Sequence, residues 1–159
     1  MNIYVASSWR NKFQAGVVAA LREDGHEVYD FMDSEGFHWT EVDEDWLNWV
    51  NDIPRYLVGL THPCAERGFN RDMTFLRECD ACVYVMPCGV SASWEAGWAK
   101  GAGKIVYVYV PGLREPDLMV KMADFVTDDL FAIRALLRLG IDTLKNPPPC
   151  PEGNEEKVR

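Results

Sequence analysis

The chain has 159 residues, 48% of them hydrophobic, enough for one domain whose core needs no metal or disulfide support. Lys and Arg number 16 and Asp and Glu 25, a formal net charge of −9. That balance argues against a nucleic-acid polymer or an anionic membrane as partner, because both demand a basic face.

No apolar run is long enough to span a bilayer, and no secretory leader is recognisable. Five cysteines, an odd number, read as reduced thiols. Together these features lead us to expect a cytoplasmic protein.

The apolar run Asn2 to Ala6 reads as a buried strand. A helix with Phe13, Val17, Ala20 and Leu21 on one face follows, stopped at Gly25. His26 to Phe31 alternates like a second strand. Between Glu23 and Pro54 lie eleven acidic residues and no Lys or Arg. In that stretch Asp43 to Val50 places Trp46, Leu47, Trp49 and Val50 at helical spacing, and Pro54 is expected to end the piece.

A helix is predicted over Arg67 to Cys79, with Phe69, Met73, Leu76 and Phe75 inward. Ala81 to Met86 is the clearest strand. Pro87 and Gly89 break it, and a helix is expected over Ser93 to Gly101. Ile105 to Val110 is a further strand, and a last one lies near Asp124 to Val126. Thr127 then caps a helix over Asp128 to Leu139. Residues 1–144 form the expected domain. Residues 145–159 hold four of the nine prolines and read as a disordered tail.

Alternating strands and helices predict a single doubly wound α/β domain, with a mainly parallel five-stranded sheet of flavodoxin- or Rossmann-like type. Ligands of such sheets bind beyond the carboxyl ends of the strands. Three segments near that edge carry unusual polar residues. Ser8 and Arg10, within Ser7 to Asn11, suit a phosphate or a carboxylate, or are merely a helix cap beside a solvated arginine. Gly89, Ser91, Ser93 and Glu95 open a helix. There a first-turn carboxylate would be held ionised by the dipole, or would serve only as a capping acid.

Asp72 becomes chemically interesting only if the fold carries it to Glu95. Trp39 is one of several aromatic residues able to stack a flat heterocycle. Cys79 and Cys82 match C-x-x-C but lack a second pair for zinc, and the three histidines make no metal spacing.

In combination these segments resemble the nucleoside 2-deoxyribosyltransferase family and the related nucleoside 5'-monophosphate N-glycosidases. Ile3-Tyr4 resembles the strand whose tyrosine holds the nucleophile, and Asn70-Arg71-Asp72-Met73 the acidic motif that assists the leaving group. Glu95-Ala96-Gly97-Trp98-Ala99 resembles the E-x-G-x-A signature, with Glu95 at the nucleophile. Pro116-Asp117-Leu118-Met119 resembles a segment lent by a neighbouring subunit.

The resemblance implies cleavage of an N-glycosidic bond through a glycosyl ester on Glu95, with transfer to a base or to water. It implies a nucleoside or nucleotide as small-molecule substrate, no cofactor and no metal, and a homodimer or higher homo-oligomer with shared sites. Two departures bear on the substrate. No acid stands in Cys88 to Ser91, where the transferases carry a base-binding Asp, and Asp117 replaces an Asn. Ser8 and Arg10 resemble phosphate-binding residues of the N-glycosidases, with Ser91 and Ser93 as further hydroxyls. The alternative is a non-catalytic nucleotide-sensing module using the same pocket.

Overall fold

The computed structural model describes residues 1–33, 36–112 and 115–140. The predicted tail over 145–159 lies outside them. Five strands, β1 (Asn2–Ala6), β2 (Glu27–Tyr29), β3 (Ala81–Val85), β4 (Ile105–Tyr109) and β5 (Phe125–Thr127), form one sheet in the order β2-β1-β3-β4-β5. Every neighbouring pair is parallel, as predicted for a doubly wound sheet. Helices α1 (Gln14–Glu23), α2 (Ile53–Leu60), α3 (Pro63–Glu78), α4 (Val90–Gly101) and α5 (Leu130–Leu139) complete the domain.

Parallel strands buried on both faces need apolar side chains in both directions, and β3 is buried at every position. On one face Ile3, Val5, Val83 and Tyr107 pack against Val17, Val18 and Leu21 of α1 and Ile133 and Leu137 of α5. On the other, Tyr4, Ala6, Tyr29, Cys82 and Tyr84 meet Leu76 of α3 and Ala92 and Ala99 of α4. Arg134 ties α5 to the end of α1, donating to both oxygens of Asp24 at 2.7 and 2.5 Å.

Helix starts depart most from the sequence reading. Pro54 does not end a helix but sits in the first turn of α2, a helix the reading did not anticipate. Proline's missing N–H costs nothing there, and Asp52 caps that turn by accepting from Arg55 N at 3.0 Å. The predicted helix over 43–50 is instead a 3-10 segment, Trp46–Asn51, which buries Trp49 while Leu47 and Val50 face outward. Gly59 lets α2 lie flat on Trp49, since a Cβ there would stand 2.3 Å from the ring.

Helix α3 begins four residues early, at Pro63, with His62 as its cap. Its inner stripe is Ala65, Gly68 and Leu76, and Phe69 and Phe75 are exposed at 59% and 41%, against expectation. Gly68 is needed for close approach, because a Cβ would meet that of Phe37 at 2.5 Å. The cap of α5 is Asp129, whose carboxylate accepts from Phe131 N, and not Thr127, which bonds Asp129 N one step upstream. Helix α4 starts at Val90, three residues before the predicted Ser93, with Gly89 as N-cap.

Candidate active site

The early start of α4 moves Glu95 into the second turn, where the helix dipole has little hold. Ser91 and Ser93 lie inside the helix and do not cap it. What governs Glu95 instead is burial. Burial pushes its carboxyl up to about 7, repulsion from Asp72 adds to that, and the nearby Tyr4 hydroxyl acts in the opposite sense. The expectation of a carboxylate held ionised by the dipole is therefore replaced by one poised to titrate near neutrality.

Tyr4 reaches this spot because its position in β1 faces the α3–α4 side of the sheet. In-register pairing sets it beside Tyr29 of β2 and Cys82 of β3. The Tyr4 and Tyr29 rings stack at 5.2 Å, and Tyr29 stacks in turn on Phe75 of α3 at 4.1 Å. Tyr4 is fully buried and its hydroxyl has no hydrogen-bond partner within bonding geometry. Burial and the nearby Glu95 and Asp72 charges hold its proton on, well above the usual phenol range.

Asp72 arrives from α3, one turn before Phe75. It accepts a hydrogen bond from the Tyr29 hydroxyl at 2.5 Å. Burial raises its carboxyl, while Tyr29 and Arg71 pull it down. The Arg71 guanidinium also lies 5.8 Å from the centre of the Tyr29 ring. The three residues singled out for chemistry, Tyr4, Asp72 and Glu95, thus converge. Tyr29 completes the group and was missed. The signal for it was present in the parallel strand pattern, which aligns the tyrosine of His26 to Phe31 with Tyr4.

The segment after β1 divides its polar residues between two tasks. Ser7 donates to Val85 O at 3.0 Å. Asn11 Nδ2 donates to Ser7 Oγ, Val85 O and Pro87 O at 2.8–3.0 Å. These buried bonds lash the ends of β1 and β3 together. Ser8 and Arg10 are left for other partners. The Ser8 hydroxyl accepts only from Arg10 N, at 3.3 Å, and the exposed Arg10 guanidinium meets no acid among the described residues.

Ser93, Asp117 and Met119 are brought together elsewhere. They line an apolar groove of about 690 Å³ with Tyr84, Trp94 and Trp98, and Glu95 is not among its lining residues. Ser93 Oγ lies 2.8 Å from the Tyr84 hydroxyl. Within one chain, then, these predicted substrate residues share the groove and not the Glu95 cluster. Gly89 and Ser91 are exposed near the start of α4. Trp39 is engaged edge-on with Phe37 at 5.0 Å and Trp49 at 5.6 Å. Nearer the end of β1, Trp9 meets Phe31 at 5.4 Å and His38 at 5.6 Å.

Cys79 and Cys82 are buried, and burial raises both thiols. Among the described residues no group of three or more His, Cys, Asp or Glu is placed to hold a metal. No helix among them is long and apolar enough to cross a membrane.

No protein-family model and no curated protein matches the sequence. The fold has a clear counterpart. It is similar to the solved structure of a 2-deoxyribosyltransferase from Bacillus psychrosaccharolyticus, with a TM-score of 0.61. The likeness covers 89% of this chain and 94% of the other, at 19% identity.

The raised Glu95 carboxyl makes a stability prediction. Its folded value of about 7 lies above the ordinary 4.5, so the native state loses stability as pH rises across that window. Glu95→Gln is expected to be more stable than the wild type by about 2–4 kcal/mol at pH 8 and equal to it near pH 4. Urea unfolding at the two pH values reads this directly.

Proposed function

We propose that the protein cleaves the N-glycosidic bond of a nucleoside or nucleoside 5'-monophosphate, passing the sugar to another base or to water. The observation that carries this reading is the half-buried Glu95 carboxyl, raised by desolvation and by the charge of a second carboxyl, Asp72, with the buried Tyr4 hydroxyl favouring its charged form. A pair of carboxyls of this kind suits an oxocarbenium-like transition state and a two-step, retaining displacement. The fold similarity to a 2-deoxyribosyltransferase supports the same reading.

In the first step an oxygen of ionised Glu95 bonds to the anomeric carbon. The bond to the base nitrogen breaks, its electron pair leaves with the base, and a proton supplied through Asp72 neutralises the base. In the second step a base nitrogen or a water oxygen attacks the same carbon and displaces the Glu95 carboxylate. The attacking group gives up its proton to Asp72. Tyr4 donates to Glu95 as charge returns to it. Low dielectric around the pair strengthens each of these interactions.

Two further features bear on the substrate and the assembly. In this reading the exposed Arg10 guanidinium and the Ser8 hydroxyl, at the end of β1, would hold a 5'-phosphate. Beside the groove, α4 and the segment after β4 leave large apolar side chains in solvent: Val90 is 74% exposed, Trp94 76% and Leu118 74%. A second copy seated there would cover the groove and bring its own Asp117 and Met119 toward this chain.

Free-base release from a panel of nucleosides and their 5'-monophosphates, with and without an acceptor base, tests the reaction. Wild-type protein should release base and Glu95→Ala should not, by at least about a thousand-fold. Glu95-independent turnover, or tight nucleotide binding with no turnover of any substrate, would favour a sensing module instead. Arg10→Ala should weaken KM for a monophosphate by about ten-fold or more and leave the matching nucleoside nearly unchanged. Trp94→Asp should shift the species seen by light scattering to monomer and depress turnover. A wild-type monomer with full activity would remove the shared-site reading.

A further inference from the structure

We propose that Tyr29 is a positioning residue for this site: its hydroxyl, held by ring stacking and bonded to one oxygen of Asp72, fixes that carboxyl opposite Glu95 and sets how the pair shares a proton. The inference deepens the glycosidic reading and rests on it. Tyr29 is held from three directions. In-register pairing fixes its backbone beside Tyr4. Its ring is clasped between Tyr4 at 5.2 Å and Phe75 at 4.1 Å, at interplanar angles of 28° and 18°. Its hydroxyl donates to Asp72 Oδ1 at 2.5 Å.

Helix α3 supplies both the ring partner and the carboxylate, three residues apart on one face. The clasp on the ring and the bond to the hydroxyl therefore fix one side of α3 against the sheet. With Oδ1 occupied, Oδ2 is the oxygen left to exchange a proton with the leaving or attacking base.

The groups facing Asp72 are few. Tyr29 from β2 and Arg71 on its own helix favour its charged form, and Glu95 from α4 and Tyr4 from β1 lie near enough to feel its charge. Removing the Tyr29 hydroxyl takes away a donor that stabilises charged Asp72. Asp72 then keeps its proton to higher pH. Over that range one negative charge facing Glu95 is gone, so Glu95 ionises at lower pH. The two carboxyls move in opposite directions, a signature that loss of packing does not produce.

Tyr29→Phe keeps the ring and its stacking, and Phe75→Leu keeps the hydroxyl and weakens the stack. Carboxyl-carbon NMR titration of the free protein should show Asp72 moving up and Glu95 down in Tyr29→Phe. In Phe75→Leu, which keeps the hydroxyl donor, both should move less than in Tyr29→Phe although Tm falls. On whichever substrate the wild type turns over, Tyr29→Phe should lower kcat about ten-fold, change KM by less than about two-fold, and move the acid limb of the pH profile to lower pH. Unmoved titrations, or wild-type kcat in Tyr29→Phe, would overturn the proposal. If the wild type releases no base from any substrate, the glycosidic reading fails, and the titrations alone decide whether Tyr29 governs the pair.

Discussion

Two half-buried carboxyl groups, Asp72 and Glu95, face one another across the α3–α4 side of the sheet, and much of the surrounding architecture can be understood as what keeps them there. Burial disfavours charge on each, and the charge of Asp72 disfavours charge on Glu95. Such a pair holds only if the groups around it cannot retreat. Two tyrosines in register on neighbouring strands provide a floor that cannot slip without unpairing the sheet. Helices α3 and α4 each bring one acid down onto that floor.

The strand ends above the floor are equally constrained. Asn11 spends both protons of its amide on the β3 end and on Ser7, and its oxygen accepts from Phe13 N at 2.9 Å. That single side chain closes the β1 turn, joins it to the loop before α4 and satisfies buried backbone carbonyls. With the turn fixed from inside, Ser8 and Arg10 are free to face outward. One five-residue turn thus carries a rigid inner set and an outward-facing outer set.

How much of this was legible in the sequence follows from which signals are local. The strands were, because continuous apolar runs such as those around Val83 and Val106 leave little choice. The nearness of Tyr4, Asp72 and Glu95 was, because each sits in a short motif whose order resembles that of a known family. Helix starts were not: Pro54 and Pro63 look like breaks to a reading that scans for interruptions, yet both belong to first turns. The state of Glu95 was not legible either, since it hinged on a helix start three residues earlier than expected and on burial that only the packed α3–α4 layer creates. Tyr29 escaped notice because its importance lies in a partner 43 positions along the chain. Trp39 and Ser93 show the converse. Their side chains fit a ligand in principle, but the fold commits one to a tryptophan and phenylalanine cluster and the other to Tyr84.

The acidity of the segment before Pro54 acquires a meaning once the exposed Arg10 is seen to stand without an acidic partner at the end of β1. A phosphorylated ligand approaching this surface meets a field of net negative sign at long range and a lone guanidinium at short range. The two act over different distances, and dissolved ions weaken the far one first. Moderate ionic strength therefore speeds the encounter of an anionic ligand with this protein, the reverse of the behaviour of enzymes whose basic clefts draw their substrates in.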